Sequence, residues 1–216
     1  MKAAIIHEAA IPTWSSRRLI KRLSERGVKA KYLRPSLLTV KIHGNNVEVL
    51  HSERPVENYE VLFHRSLGFS LTVEQLLKRT LACRILEATA LMSLNPIEKL
   101  LIARDKAYSL ALLASHGIKV PETLITENPY LAYKLSQNLG KTVIKPLIGS
   151  LGLGIILSET PDLTYTISKR LVSLGQPVYL QGYVEKPQRD IRVFVVGDRV
   201  IGSIYRIARG NIWKTN

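Results

Sequence analysis

The sequence predicts a mixed α/β chain in two parts: a parallel α/β domain over residues 1–94, then a domain over residues 95–216 with antiparallel strands. Three observations carry this. Lys2–Ile6, a helical stretch from Ser15 or Ser16 to about Arg26, and Val28–Leu33 spell a β-α-β unit, which favours a parallel sheet covered by helices. Val178–Val184, Ile191–Val196 and Arg199–Tyr205 are apolar runs, the last two joined by Gly197-Asp198 as a hairpin turn. Between the two parts, Asn95-Pro96-Ile97-Glu98 reads as a helix start. Asn95 is the expected N-cap, Pro96 the first helical residue, and Glu98 completes a capping box.

In chain order, the first helix carries Leu19, Ile20 and Leu23 on one face and stops at Gly27. Thr39–Ile42 and Val47–Leu50 flank His43–Asn46, whose Gly44-Asn45 suits a hairpin turn. Val61–Phe63 is a further strand, followed by His64-Arg65-Ser66-Leu67-Gly68. Thr72 and Gln75 open a long amphipathic helix to about Thr89. Ile97, Leu100, Leu101, Leu110 and Leu113 recur at helical spacing, predicting one helix from Pro96 to Gly117. Asn128-Pro129 opens a helix closed by Gly140, and another spans about Asp162 to Leu174.

Composition narrows the function classes. The 216 residues are 46% hydrophobic and 22% charged, ordinary for a soluble globular protein. No apolar run is long enough to span a membrane, and MKAAIIHEAAIPTWSS has too short an apolar core for a signal peptide, so the expected location is cytoplasmic. The single Cys83 excludes an intramolecular disulfide and reads as a buried thiol. The net charge of +14 implies an anionic partner: nucleic acid, an acidic protein or a phosphorylated small molecule. The cations form no block and aromatics are only 6%, which weighs against nucleic acid. His7, His43, His51, His64 and His116 have no metal-ligand spacing, and Ser66 and Ser150 sit in no nucleophile elbow.

Chemistry concentrates in Lys141–Ile155, KTVIKPLIGSLGLGI. β-favouring residues run into Lys145 and Pro146, then into a segment carrying Gly149, Ser150, Gly152 and Gly154. A lysine ending a buried strand is costly unless an anion meets it. A glycine-spaced loop lets backbone N–H groups wrap a phosphate. On these residues alone, a nucleotide-phosphate site and a plain hairpin with one exposed lysine are both open. Other residues bear on the choice: Lys106 in Arg104-Asp105-Lys106, and the strand end Gln181-Gly182-Tyr183-Val184. Asp190 and Arg192 share a strand face, Arg206 ends the next strand, and Trp213-Lys214-Thr215-Asn216 closes the chain. Arg65 suits an anionic substrate or solvent equally, and Ser15, Ser16 and Arg17 suit an anion site less well than simple capping.

The ordered set RDK, VIKPL-GSLGLGI, LQGYV, RDIRVFVVG, IYRIA and WKTN resembles the ATP-grasp ligases of the RimK/LysX group, from about Leu94 to Asn216. PTWSSRRLIKRL and HRSLGF resemble that group's leading domain less specifically. The resemblance implies an α+β ATP-grasp fold, incomplete at its C-terminal end. It implies that Lys106 and Lys145 hold the phosphates of ATP, and that Gly149–Ile155, with Ser150, Gly152 and Gly154, closes over them. Gln181, Gly182, Tyr183 and Val184 would receive adenine, largely through backbone groups, and Asp190 the ribose. Arg192 and Arg206 would act near the phosphates and the reacting carboxylate, and Lys214, Thr215 and Asn216 would return to the nucleotide.

Two departures stand out. Gly182 replaces the group's usual hinge glutamate, which spares backbone recognition only. The group's magnesium ligands, a carboxylate and a Glu-x-Asn pair, fall beyond the equivalent of Asn216, so Mg2+ ligands are expected past the chain's last residue and none is assigned within it. Part of the +14 is then an uncompensated site. The implied activity joins an amino acid, glutamate foremost, to a substrate carboxylate through an acyl phosphate. The acceptor is a small molecule, such as a tetrahydromethanopterin-like cofactor, or an acidic carrier or ribosomal protein; a homo-oligomer is compatible with the sequence. The rivals are an inactive nucleotide-binding protein of the same fold and a basic nucleic-acid-binding protein.

Overall fold

The N-terminal β-α-β pattern folds as a parallel pair. In the computed structural model, which describes residues 1–149 and 152–208, β1 (Lys2–His7), α1 (Trp14–Ser24) and β2 (Lys29–Leu33) set Lys2 beside Lys29 and Ile6 beside Leu33. The cap of α1 differs from expectation. Thr13, in extended backbone, accepts from the Ser16 N–H at 3.4 Å, and Ser16 is fully buried one turn inside the helix.

A 3-10 turn (Pro35–Leu37) leads into β3 (Leu38–His43), β4 (Asn46–His51) and β5 (Arg54–Pro55), an antiparallel sheet. Gly44, at φ +55, takes the left-handed conformation its tight β3–β4 turn requires. Next come β6 (Val61–Ser66), α2 (Val73–Thr89), β7 (Met92–Leu94) and α3 (Ile97–Arg104). The main sheet is parallel throughout, in the order β2-β1-β6-β7. Its core joins Ala4, Ile6, Leu33 and Leu62 to Cys83 of α2 and Ile97 of α3. Thr72 and Gln75 cap α2 reciprocally, as the sequence predicts.

The predicted helix from Pro96 to Gly117 is two helices. α3 stops at Arg104, and α4 (Lys106–Ser115) restarts after Asp105, whose carboxylate accepts from the Ala107 and Tyr108 N–H groups at 2.9 and 3.0 Å. Periodicity alone missed this because an aspartate at an N-cap satisfies the orphan donors that would otherwise make a break costly. Asn95 does not cap α3. It has φ +55 and reaches the His64 carbonyl at 3.5 Å, while the Ile97 N–H donates to Glu87 of α2 at 2.8 Å. Glu98 instead pairs with Arg84 at 2.6 Å. With Ile97, Leu100 and Leu101 in the first core, α3 belongs to the first of two units, Met1–Arg104 and Asp105–Asn216.

The second unit is antiparallel. β8 (Thr123–Thr126), α5 (Pro129–Leu139), β9 (Thr142–Lys145), β10 (Ile156–Ser158), α6 (Pro161–Ser173) and β11 (Val178–Gly182) build a sheet in the order β10-β9-β11-β8. α5 and α6 cover one face, where Ala132, Ile144, Val178 and Leu180 meet Leu135, Ile167 and Leu171. β12 (Arg189–Val196) and β13 (Arg199–Ile207) form a separate hairpin about Gly197, with exposed Val193, Val195, Val200 and Ile204. No helix among the described residues is long and apolar enough to cross a membrane.

Candidate functional site

Strand alternation decides which side chains meet. On β9, Ile144 faces the helices, so Val143 and Lys145 face the other way. β11 sets Tyr179 opposite both Lys145 and Ile125, and Gln181 opposite both Val143 and Thr123. Lys145, Tyr179, Gln181 and Thr123 thus share the face that α5 and α6 leave uncovered.

There the half-buried Lys145 ammonium donates to Gln181 Oε1 at 2.5 Å and lies 5.9 Å from the Tyr179 ring centroid. Burial holds the Lys145 pKa below the ordinary lysine value, and the positive charges of Lys106 and Lys186 lower it further.

Lys106 reaches the same strand end from α4. Asp105 starts that helix so that Lys106 is its first residue, and the Lys106 ammonium donates to the carbonyls of Pro146 (3.1 Å), Leu147 (3.3 Å) and Gly149 (2.8 Å). The loop is close-fitting here: a Cβ on Gly149 would stand 3.2 Å from the Pro146 ring. Gly152 and Gly154 take φ of +68 and +72, which L side chains adopt at a penalty. Two lysines 39 positions apart thus serve one strand end.

At the hinge, the Gly182 N–H donates to Glu122 O at 2.9 Å and the Tyr183 N–H to Lys141 O at 3.0 Å. Val184 is exposed. A Cβ on Gly182 would meet only ordinary contacts with Leu139 and Glu122, so packing does not demand glycine.

On the hairpin, Asp190 and Arg206 stand directly opposite and join in a two-pronged ion pair of 2.6 and 2.7 Å, with Lys186 3.9 Å from the same carboxylate. Arg192 lies two residues along β12, opposite Ile204, and is exposed. Ser150, Lys214, Thr215 and Asn216 lie outside the described residues. Sequence reading missed Asp105, Thr123 and Lys186. Only Asp105 carried a signal, as a cap residue ahead of a helical run.

In the first unit, Arg65 donates to Ser15 Oγ at 2.9 Å, and Ser66 Oγ accepts from the Gly68 N–H at 3.1 Å. His64 is buried against Glu87 at 2.9 Å. Among the described residues, no three His, Cys, Asp or Glu side chains converge as a metal site.

Residues 103–216 match the family model for the RimK-like ATP-grasp domain. A probable alpha-L-glutamate ligase of Rhodopirellula baltica is 30% identical over 219 residues, covering 100% of this chain and 53% of that protein. The chain thus spans about half the length of that relative. The crystal structure of a RimK-domain ATP-grasp protein from Sphaerobacter thermophilus superposes with a TM-score of 0.71 at 20% identity, covering 94% of this chain and 72% of that one. The ATP-grasp ligase PsnB, solved with a minimal precursor, Mg and ADP, gives 0.63 at 22% identity, covering 93% of this chain and 71% of that one.

Proposed function

The chain belongs to the RimK-like ATP-grasp family, and on that premise we propose that it serves an ATP-dependent carboxylate–amine ligase, with glutamate as the amine. The first unit is the leading domain of that architecture and the second its ATP-grasp domain. One observation carries the reading. Lys145, at the end of β9, donates to a neutral oxygen, that of the Gln181 amide, while Lys106 of α4 reaches the Pro146 and Gly149 carbonyls just beyond it. For Lys145 the neutral amide oxygen satisfies an ammonium proton and leaves the charge available to a phosphate.

In this reading Lys106 and Lys145 hold the nucleotide phosphates, and the turn carrying Gly149, Gly152 and Gly154 closes over them. Gly182, Tyr183 and Val184 offer backbone groups to the base. Asp190 meets the ribose, and Arg192 and Arg206 steady the reacting carboxylate. A carboxylate oxygen attacks the terminal phosphorus and ADP leaves; the amine then attacks the acyl carbon, displacing phosphate and losing a proton. Such chemistry asks the protein mainly for positioning and fixed positive charge. Magnesium accompanies ADP in PsnB; in this chain no step is assigned to it.

Calorimetric titration of the chain with ADP tests the reading. Binding is expected, with Lys145→Ala removing most of the affinity. Equal affinity in wild type and Lys145→Ala would refute the assignment of the phosphate site.

A further inference from the structure

Gln181 is buried, 7% exposed, and every hydrogen bond of its amide points one way. Lysine has donors and no acceptor, so the atom 2.5 Å from Lys145 Nζ is the amide oxygen. The amide nitrogen donates to Thr123 Oγ1 at 2.9 Å, with the Tyr179 hydroxyl 3.4 Å away. The Thr123 hydroxyl itself donates to Pro121 O at 2.8 Å. Because the amide nitrogen only donates, Thr123 Oγ1 meets Gln181 as an acceptor, and the Tyr179 hydroxyl bonds to Thr123 as well. The relay runs in a fixed sense from Lys145 through Gln181 and Thr123 to a backbone carbonyl. Turning the amide over would aim N–H groups at an ammonium and leave Thr123 facing a carbonyl oxygen, both costly in a buried place. Strand register makes the relay possible, since Gln181 lies opposite Thr123 on β8 and diagonal to Lys145 on β9.

We infer that Gln181, oriented by Thr123, is a positioning residue that holds the Lys145 ammonium in place without cancelling its charge. This rests on the reading of Lys145 as a phosphate ligand. A glutamate at the same position would hold the ammonium equally well but would neutralise it. An apolar side chain would leave charge intact and remove the acceptor. The amide alone does both.

The direct test reads Lys145 in the nucleotide-free chain, by competitive acetylation across a pH series with mass-spectrometric detection. Gln181→Glu is expected to raise the Lys145 titration and Gln181→Met to lower it, each by about one pH unit or more. Thr123→Val should move it in the direction of Gln181→Met, and Thr123→Ser, which keeps the hydroxyl, should restore the wild-type curve. A role confined to packing would not produce opposite shifts. An unchanged Lys145 curve in folded Gln181→Glu and Gln181→Met, or shifts of the same sign, would overturn the inference. If Gln181→Met does not fold, Gln181→Glu with the two Thr123 variants decides. Each Gln181 variant should also weaken ADP binding roughly tenfold. Shifts of opposite sign in the two Gln181 variants, with no ADP binding by the wild-type chain, would uphold the positioning role and defeat the phosphate reading.

Discussion

Arg79 in the first unit and Lys145 in the second settle a partly or wholly buried cation in opposite ways. In the first, cations meet carboxylates: Glu8 lies 3.1 Å from Arg79 and 3.6 Å from Arg34, and also accepts the Ser36 N–H at 2.8 Å. Glu87 takes the first N–H of α3 and lies 2.9 Å from the buried His64, whose burial lowers its pKa and disfavours the charged form. In the second unit Asp190 closes on Arg206 in the same manner, but Lys145 meets an amide oxygen. A carboxylate closes the field around a cation, whereas a neutral oxygen satisfies the same protons and leaves the field open. The first arrangement stabilises a fold. The second keeps a site ready for an anion.

The largest expected effect breaks the first arrangement. Glu8→Ala leaves Arg79, whose side chain is 11% exposed, without its carboxylate. Losing one partner of such a pair costs about 3–5 kcal/mol. Denaturant unfolding should show that loss, while ADP affinity in the folded fraction stays unchanged. A stability loss below about 1 kcal/mol would mean the pair is effectively solvated.

Lys145→Met reverses the pattern. Removing a half-buried cation held by a neutral partner should leave stability within about 1 kcal/mol, yet weaken ADP binding by about 1.5–3 kcal/mol, roughly 10- to 100-fold. The pH dependence has a definite sign. Lys145 has a depressed pKa, and only its protonated form attracts phosphate. Wild-type affinity should therefore be full at neutral pH and fall as pH rises, beginning below the ordinary lysine range; Lys145→Met should lack that limb. Equal limbs in both proteins would assign it to another group.

Asp105→Ala is smaller again. Its carboxylate caps α4 by two backbone bonds, and losing such a cap costs about 1 kcal/mol. Because it fixes the helix start that carries Lys106, the variant should weaken ADP binding more than it lowers unfolding stability. The reverse order would make Asp105 a purely structural cap.

These effects show what the sequence could and could not reveal. The parallel first sheet and the β12–β13 hairpin followed from strand spacing and turn residues, because those patterns are local; β8 and β10, short strands of the second sheet, were not read. Lys145 and its glycine turn were also local, and Lys106 entered through an ordered motif. The break at Asp105 was hidden because apolar periodicity continues on both sides of it. The Gln181–Thr123 relay joins residues 58 positions apart and depends on strand register, which no single stretch of sequence specifies. The fork between Asp190 and Arg206 was invisible for the same reason: each residue was legible alone, and their pairing comes from the hairpin register.

The smallest effect lies at the surface of the first unit and separates exposed pairing from buried pairing. Glu57 accepts from Lys2 at 2.7 Å and also pairs with Lys31; the hydrogen bond from Lys2 and then that from Lys31 bring its carboxyl pKa down to about 2. A carboxyl whose folded pKa lies below its unfolded value contributes stability above the unfolded pKa and loses it as pH falls through the folded one. The window here runs from the ordinary value of 4.5 down to about 2. All three side chains are well exposed, so solvent and salt screen the contribution. Melting curves at low salt should therefore show wild type losing slightly more stability than Glu57→Gln across that window, and the difference should vanish in about 1 M salt, where the screening length is about 3 Å. A difference that survives such salt would place Glu57 with Glu8, among the carboxylates that hold the first unit together.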